Sequence, residues 1–129
     1  MANQFVVQLK NEPGSMATLA ETLAARGVDL RAIGGGGIGD AGHVIMTTAD
    51  DDTTRQVLDE GGYTYIEGES ILAEVDDRPG GMAALARQLA DAGVNIYGHL
   101  FLGRWGDRAM FAFVVDRPDV ARPILERKG

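Results

Sequence analysis

Residues 11–30 read NEPGSMATLAETLAARGVDL, and residues 77–96 read DRPGGMAALARQLADAGVNI. Laid over each other at an offset of 66, they match at Pro13/Pro79, Gly14/Gly80, Met16/Met82, Ala17/Ala83, Leu19/Leu85, Ala20/Ala86, Leu23/Leu89, Ala24/Ala90, Gly27/Gly93 and Val28/Val94. A repeat of this period is a supersecondary unit written twice, so it sets the architecture before any residue propensity is weighed. The expected units are residues 1–68 and 69–129. Each is marginal in size for an independent core, so packing against a neighbour or a second chain is expected.

Working outward, each copy opens with an alternating strand. Phe5, Val7 and Leu9 share one face, as do Ile71, Ala73 and Val75; Val6 and Leu72 are apolar exceptions on the other face. A helix follows, with Met16, Leu19, Ala20, Leu23 and Ala24 on one stripe and Met82, Leu85, Ala86, Leu89 and Ala90 on its counterpart. Gly27 and Gly93 suit the left-handed residue that closes a helix. Strands are expected over 28–38 and 94–103. The Gly39-Asp40-Ala41-Gly42 and Gly106-Asp107 turns feed third strands over 43–49 and 109–115. Between the turns the offset becomes 67, one residue having been inserted in a loop.

Asp50, Asp51 and Asp52 suit the N-terminal end of a second helix that Gly61-Gly62 closes, and 63–67 reads as a fourth strand. The first copy is therefore βαββαβ, a ferredoxin-like order. The second has Pro118 at a helix start, Pro123 where it should bend or end that helix, and no fourth strand. The expected fold class is α+β: two ferredoxin-like repeats, each an antiparallel sheet with helices on one face, the second lacking its last strand. An open edge is an association surface, so a homodimer is expected.

A net charge of −7 with twelve scattered Lys and Arg argues against a nucleic-acid partner. No apolar run is long enough to span a bilayer, and the opening Met1-Ala2-Asn3-Gln4 lacks a signal-peptide pattern. The sequence contains no cysteine, which removes thiolate metal sites and disulfides. A cytoplasmic protein without a membrane partner is expected.

A strand, then Asn11-Glu12-Pro13-Gly14, an apolar-striped helix and Gly27-Val28-Asp29-Leu30 entering a glycine-rich strand resembles an ACT domain. Asp77-Arg78-Pro79-Gly80 with Gly93-Val94-Asn95-Ile96 resembles a second. The resemblance covers nearly the whole chain. It implies a stand-alone tandem module that binds an amino acid and regulates a metabolic enzyme. The ligand would lie between the Pro-Gly loop and the second strand of a neighbouring unit.

The residues support such a site on their own terms. A helix N-terminus offers unpaired N–H groups and partial positive charge to a carboxylate. Proline fixes the chain's approach and glycine permits close contact. Asn11 and Asp77 can offer an acceptor to an ammonium group. The candidate ligand-binding residues are Asn11, Glu12, Pro13, Gly14, Ser15 and Met16 in the first copy, and Asp77, Arg78, Pro79, Gly80, Gly81 and Met82 in the second. His99, in the strand that should face a pocket and aligned with Ile33, joins them. Because Glu12 aligns with Arg78, the second loop is expected to be the better anion acceptor, and the two sites are expected to be unequal.

Competing chemistries fit less well. Gly34-Gly35-Gly36-Gly37-Ile38-Gly39 satisfies G-x-G-x-x-G but precedes a strand, so it reads as a thin strand open to close approach, not as a nucleotide loop. In the second copy His99-Leu100-Phe101-Leu102-Gly103 should fill the corresponding space. His43 and His99 do not align, so no metal or cofactor is expected. Aspartates 50–52 read as a solvated helix start, and Trp105 as an aromatic packing near a hairpin tip or against a partner. No nucleophile has a base and an orienting group, so the chain reads as a non-enzyme. The alternative function is an assembly or regulatory subunit that docks on a metabolic enzyme without binding a ligand.

Overall fold

The computed structural model describes residues 3–126. The chain divides into two compact units, Met1–Gly68 and Glu69–Gly129. The first contains β1 (Asn3–Lys10), α1 (Ser15–Ala25), β2 (Leu30–Ile38), β3 (Ala41–Thr48), α2 (Asp51–Glu60) and β4 (Tyr65–Glu69), whose last residue crosses the unit boundary. The second contains β5 (Ile71–Asp76), α3 (Gly81–Asp91), β6 (Ile96–Trp105), β7 (Arg108–Val115) and α4 (Pro118–Leu125). The first sheet runs β2-β3-β1-β4 and the second β5-β7-β6. Both are antiparallel, with the α+β ferredoxin-like pattern, and the second lacks the fourth strand. Among the described residues, β5 therefore has a strand partner on one side only.

In the first unit the alternation of β1 places Phe5 and Val7 against Val44 and Met46 of β3, and the helices cover that face with Leu19, Leu23, Val57 and Leu58. The second core repeats this with Ile71 and Ala73, Phe113 and Val115, Leu89, Ala121 and Leu125. The helix stripe is narrower than the sequence pattern suggests, since Ala24 and Ala90 are exposed. On the opposite sheet faces Val6 is half-buried and Leu72 is 42% exposed.

Both helices close as expected. Gly27 and Gly93 have φ of 73° and 75°, and Val28 and Val94 donate back to the carbonyls of Leu23 and Leu89. The helix α4 does not end at Pro123 but continues two residues to Leu125: the proline removes one hydrogen bond, and the Glu126 amide still donates to the Arg122 carbonyl at 2.9 Å. The hairpin turns contain two residues each, Gly39-Asp40 and Gly106-Asp107, so Ala41 and Gly42 belong to β3. β4 starts two residues later than expected and takes in Gly68.

An ionic cluster ties α2 to β4. Arg55 donates to both oxygens of Glu67 at 2.7 and 2.6 Å, and Asn3 Nδ2 donates to Glu67 at 2.8 Å. The Arg55 hydrogen bonds hold the Glu67 carboxyl below the usual range, assisted by Asn3 and opposed by partial burial. A depressed folded-state pKa contributes stability that is full above the unfolded value of about 4.3 and is lost as pH falls through the folded value. Acid unfolding of Glu67→Gln is expected to show a shallower decline below about pH 4 than the parent chain. An unchanged acid limb would show that the cluster contributes nothing there. Nearby, the Tyr65 hydroxyl donates to Asp59 at 2.7 Å, which pushes its pKa up to about 12.

Candidate functional site

Each Pro-Gly loop turns from a strand into a helix through a left-handed glycine. Gly14 and Gly80 are the N-cap residues, with φ of 91° and 90°. That backbone conformation favours glycine there. Neither helix has a side-chain cap. In α1 the Thr18 amide donates to the Gly14 carbonyl at 2.9 Å, while the amides of Met16 and Ala17 lie in the first turn, where no intrahelical acceptor exists.

The first loop lines a cavity of about 330 Å³. Its apolar wall is Leu9, Met16, Ile33 and Val44; Gly34, Gly35 and Gly36 of β2 form a bare side, and Lys10, Asn11, Glu12, Ser15 and His43 complete it. The cavity lies on the helix-covered side of the sheet, because Ile33 pairs with Met46 and Gly35 with Val44. The tight glycine spacing has a second cause: a Cβ on Gly35 would lie 2.4 Å from the His43 carbonyl oxygen. Pro13 and Gly14 border a separate open groove with Thr18, Asp40 and Tyr63.

Asn11 is a tether within the fold. Its Nδ2 donates to the Gly39 carbonyl at 2.8 Å and its backbone N–H to the Asp40 carbonyl at 3.0 Å, fastening the loop to the hairpin tip. Asp77 does the same in the second unit by other chemistry. Its backbone N–H donates to Asp107 at 2.8 Å, and its carboxylate accepts from Arg104 Nε at 2.8 Å.

The charges around the two loops differ in their engagement. At the first, Lys10 and Glu12 are exposed and take part in no ion pair among the described residues. At the second, their counterparts Asp76 and Arg78 pair with each other at 3.3 Å, and Arg108 also binds Asp76. Arg78 thus meets a carboxylate already in the chain, which weakens the expectation that its loop is the better anion acceptor. Arg78 and Gly81 border a groove with Val75, Leu85 and Ile124. Gly81 is buried, and a Cβ there would lie 2.1 Å from the Asp76 carbonyl oxygen, so its smallness serves helix-to-strand packing. Pro79, Gly80 and Met82 are exposed.

His99 lies exposed on β6 with its ring centroid 6.3 Å from that of Phe113. The residues that the sequence did not single out are Lys10 and Val44 at the first cavity and Asp76 and Arg108 at the second loop. The Ile33/His99 alignment was the one available signal, because it marked the strand that borders the cavity.

No family model matches the chain, and no curated protein matches it. Solved structures do. A protein from Bacteroides thetaiotaomicron is 20% identical, with a TM-score of 0.71 over 97% of this chain and 86% of its own. The regulatory subunit of aspartate kinase from Thermus flavus is 15% identical, with a TM-score of 0.67 over 98% of this chain and 92% of its own. The ligand-free regulatory subunit of aspartate kinase from Thermus thermophilus is 18% identical, with a TM-score of 0.59 over 97% and 89%. At these identities the likeness is one of fold: the chain shares the α+β, ferredoxin-like architecture of these proteins.

Proposed function

We propose that this chain is a regulatory module, not an enzyme, and that it binds a free amino acid in the cavity of its first unit. The observation that carries this reading is the pair of uncommitted opposite charges, Lys10 and Glu12, beside an apolar-walled cavity at a helix N-terminus. An amino acid presents the complement. Its carboxylate suits Lys10 and the first-turn amides of α1, its ammonium suits Glu12, and its side chain suits the wall of Leu9, Ile33 and Val44. Pro13, Gly14 and Ser15 hold the helix end in place, and Met16 closes the wall.

A ligand so placed bridges the loop and β2, an edge strand, and so couples occupancy to the shape of an association surface. The fold shared with aspartate kinase regulatory subunits supports a partner that is an enzyme of metabolism. The one-sided pairing of β5 supports a homodimer.

The second reading, docking on an enzyme without a ligand, draws support from the exposed aromatics of β6, Phe101 at 50% and Trp105 at 61%. Thermal denaturation in the presence of each of the twenty amino acids separates the two. A binding amino acid at a hundred times its Kd is expected to stabilise the chain by about 2.7 kcal/mol. No shift with any of them would leave the docking reading in its place.

A further inference from the structure

The two sheets pair in matching registers, so each residue around the first cavity has a counterpart. Ile33 opposite Met46 corresponds to His99 opposite Phe113, and Gly35 opposite Val44 corresponds to Phe101 opposite Phe111. Phe101 therefore stands at the register position of Gly35, which in the first unit lies too close to the His43 carbonyl for any side chain. Its ring lies 5.5 Å from that of Phe111, tilted by 59°, and the Arg104 guanidinium sits 4.8 Å above it. Arg104 in turn binds Asp77 of the second loop at 2.8 Å. In the second unit a half-exposed apolar ring thus stands on the edge strand, with a cation over the ring and loop charges already paired. In the first unit the ring is absent, the wall is aliphatic, and Lys10 and Glu12 have no ion-pair partner among the described residues.

Resting on the amino-acid reading above, the geometry points to a ligand with a large apolar side chain, of the size of leucine or phenylalanine. It is bound once per chain, in the cavity of the first unit. The second unit, whose loop charges are already paired within the chain, takes no free ligand. A side chain of this kind buries against Leu9, Ile33 and Val44, whereas a charged side chain there loses its hydration with no buried partner.

Calorimetric titration of the full chain with phenylalanine, leucine, glycine, threonine, aspartate and lysine tests this. Phenylalanine or leucine is expected to bind with one site per chain, on the order of 10–100-fold tighter than glycine or threonine. Ile33→Trp should block the cavity mouth and Ile33→Ser should remove part of the wall. Both should weaken binding at least about tenfold, with unfolding temperatures checked in parallel because Ile33 is half-exposed. Phe101→Ala should leave affinity and stoichiometry unchanged. Tighter binding of aspartate, lysine or threonine, or two sites per chain, would overturn this inference and leave amino-acid binding standing. Silence from all twenty amino acids would overturn the reading beneath it as well.

Discussion

Exchanging Gly81 for serine, the residue at the same point of the first repeat, is expected to destabilise the second unit by about 1–3 kcal/mol, toward the upper end. The alignment makes Ser15 and Gly81 equivalent, and serine is an ordinary residue at the start of a helix. The two environments differ, however. Ser15 is half-buried and borders the cavity, whereas Gly81 is buried with no room for a Cβ: the Asp76 carbonyl oxygen would be 2.1 Å away and Val75 Cγ1 3.3 Å away. The first obstacle is backbone, so it cannot rotate aside. Relief requires α3 to lift from the end of β5, and that movement loosens the packing of Leu89 on Ile71 and Ala73. Denaturant unfolding read by amide hydrogen exchange should locate the loss in β5, α3 and β7 and leave the first unit unchanged. Equal protection in parent and variant would show that α3 has slack that the coordinates do not suggest.

That contrast also marks the limit of what the sequence reveals. The scaffold was legible because it rests on local rules. The left-handed glycines at both ends of α1 and α3, the alternation of β1 and β5, and the Gly106-Asp107 hairpin turn are each decided within a few residues. The engagement of the charged residues was not legible, because it depends on distant partners: Arg104 reaches Asp77 across 27 positions and Arg108 reaches Asp76 across 32. Which residues of β6 face the helices was also hidden, since bulges between Ile96 and Gly98 and between Phe101 and Gly103 reset the alternation. Gly81 looked like a ligand-facing position for want of the one datum that decides it, the distance from α3 to β5. Ala24 and Ala90 looked like core because a helical stripe specifies a face and not how wide a strip of it the sheet covers.

Transplanting the second loop's charges onto the first, with Lys10→Asp and Glu12→Arg together, is expected to weaken amino-acid binding by about a hundredfold or more. The substituted residues would pair with each other, as Asp76 and Arg78 do at 3.3 Å, and would offer the ligand like charge where it needs opposite charge. A charge-assisted hydrogen bond contributes about 1.5–3 kcal/mol, and two would be lost. Both positions are exposed, so the fold should be unaffected and the unfolding temperature close to that of the parent. The reverse transplant, Asp76→Lys with Arg78→Glu, should create no second site, because Asp77 of that loop remains paired with Arg104. Unchanged affinity in the first variant would remove Lys10 and Glu12 from the account.

The central claim is that the first repeat holds the amino acid and the second does not. Backbone amide chemical-shift mapping of the whole chain during titration with phenylalanine or leucine tests it most directly. The account predicts saturable shifts centred on residues 10–16, 33–36 and 42–44, with residues 76–82 and 99–101 still. Shifts centred instead on the second loop, or equal shifts at both, would contradict it.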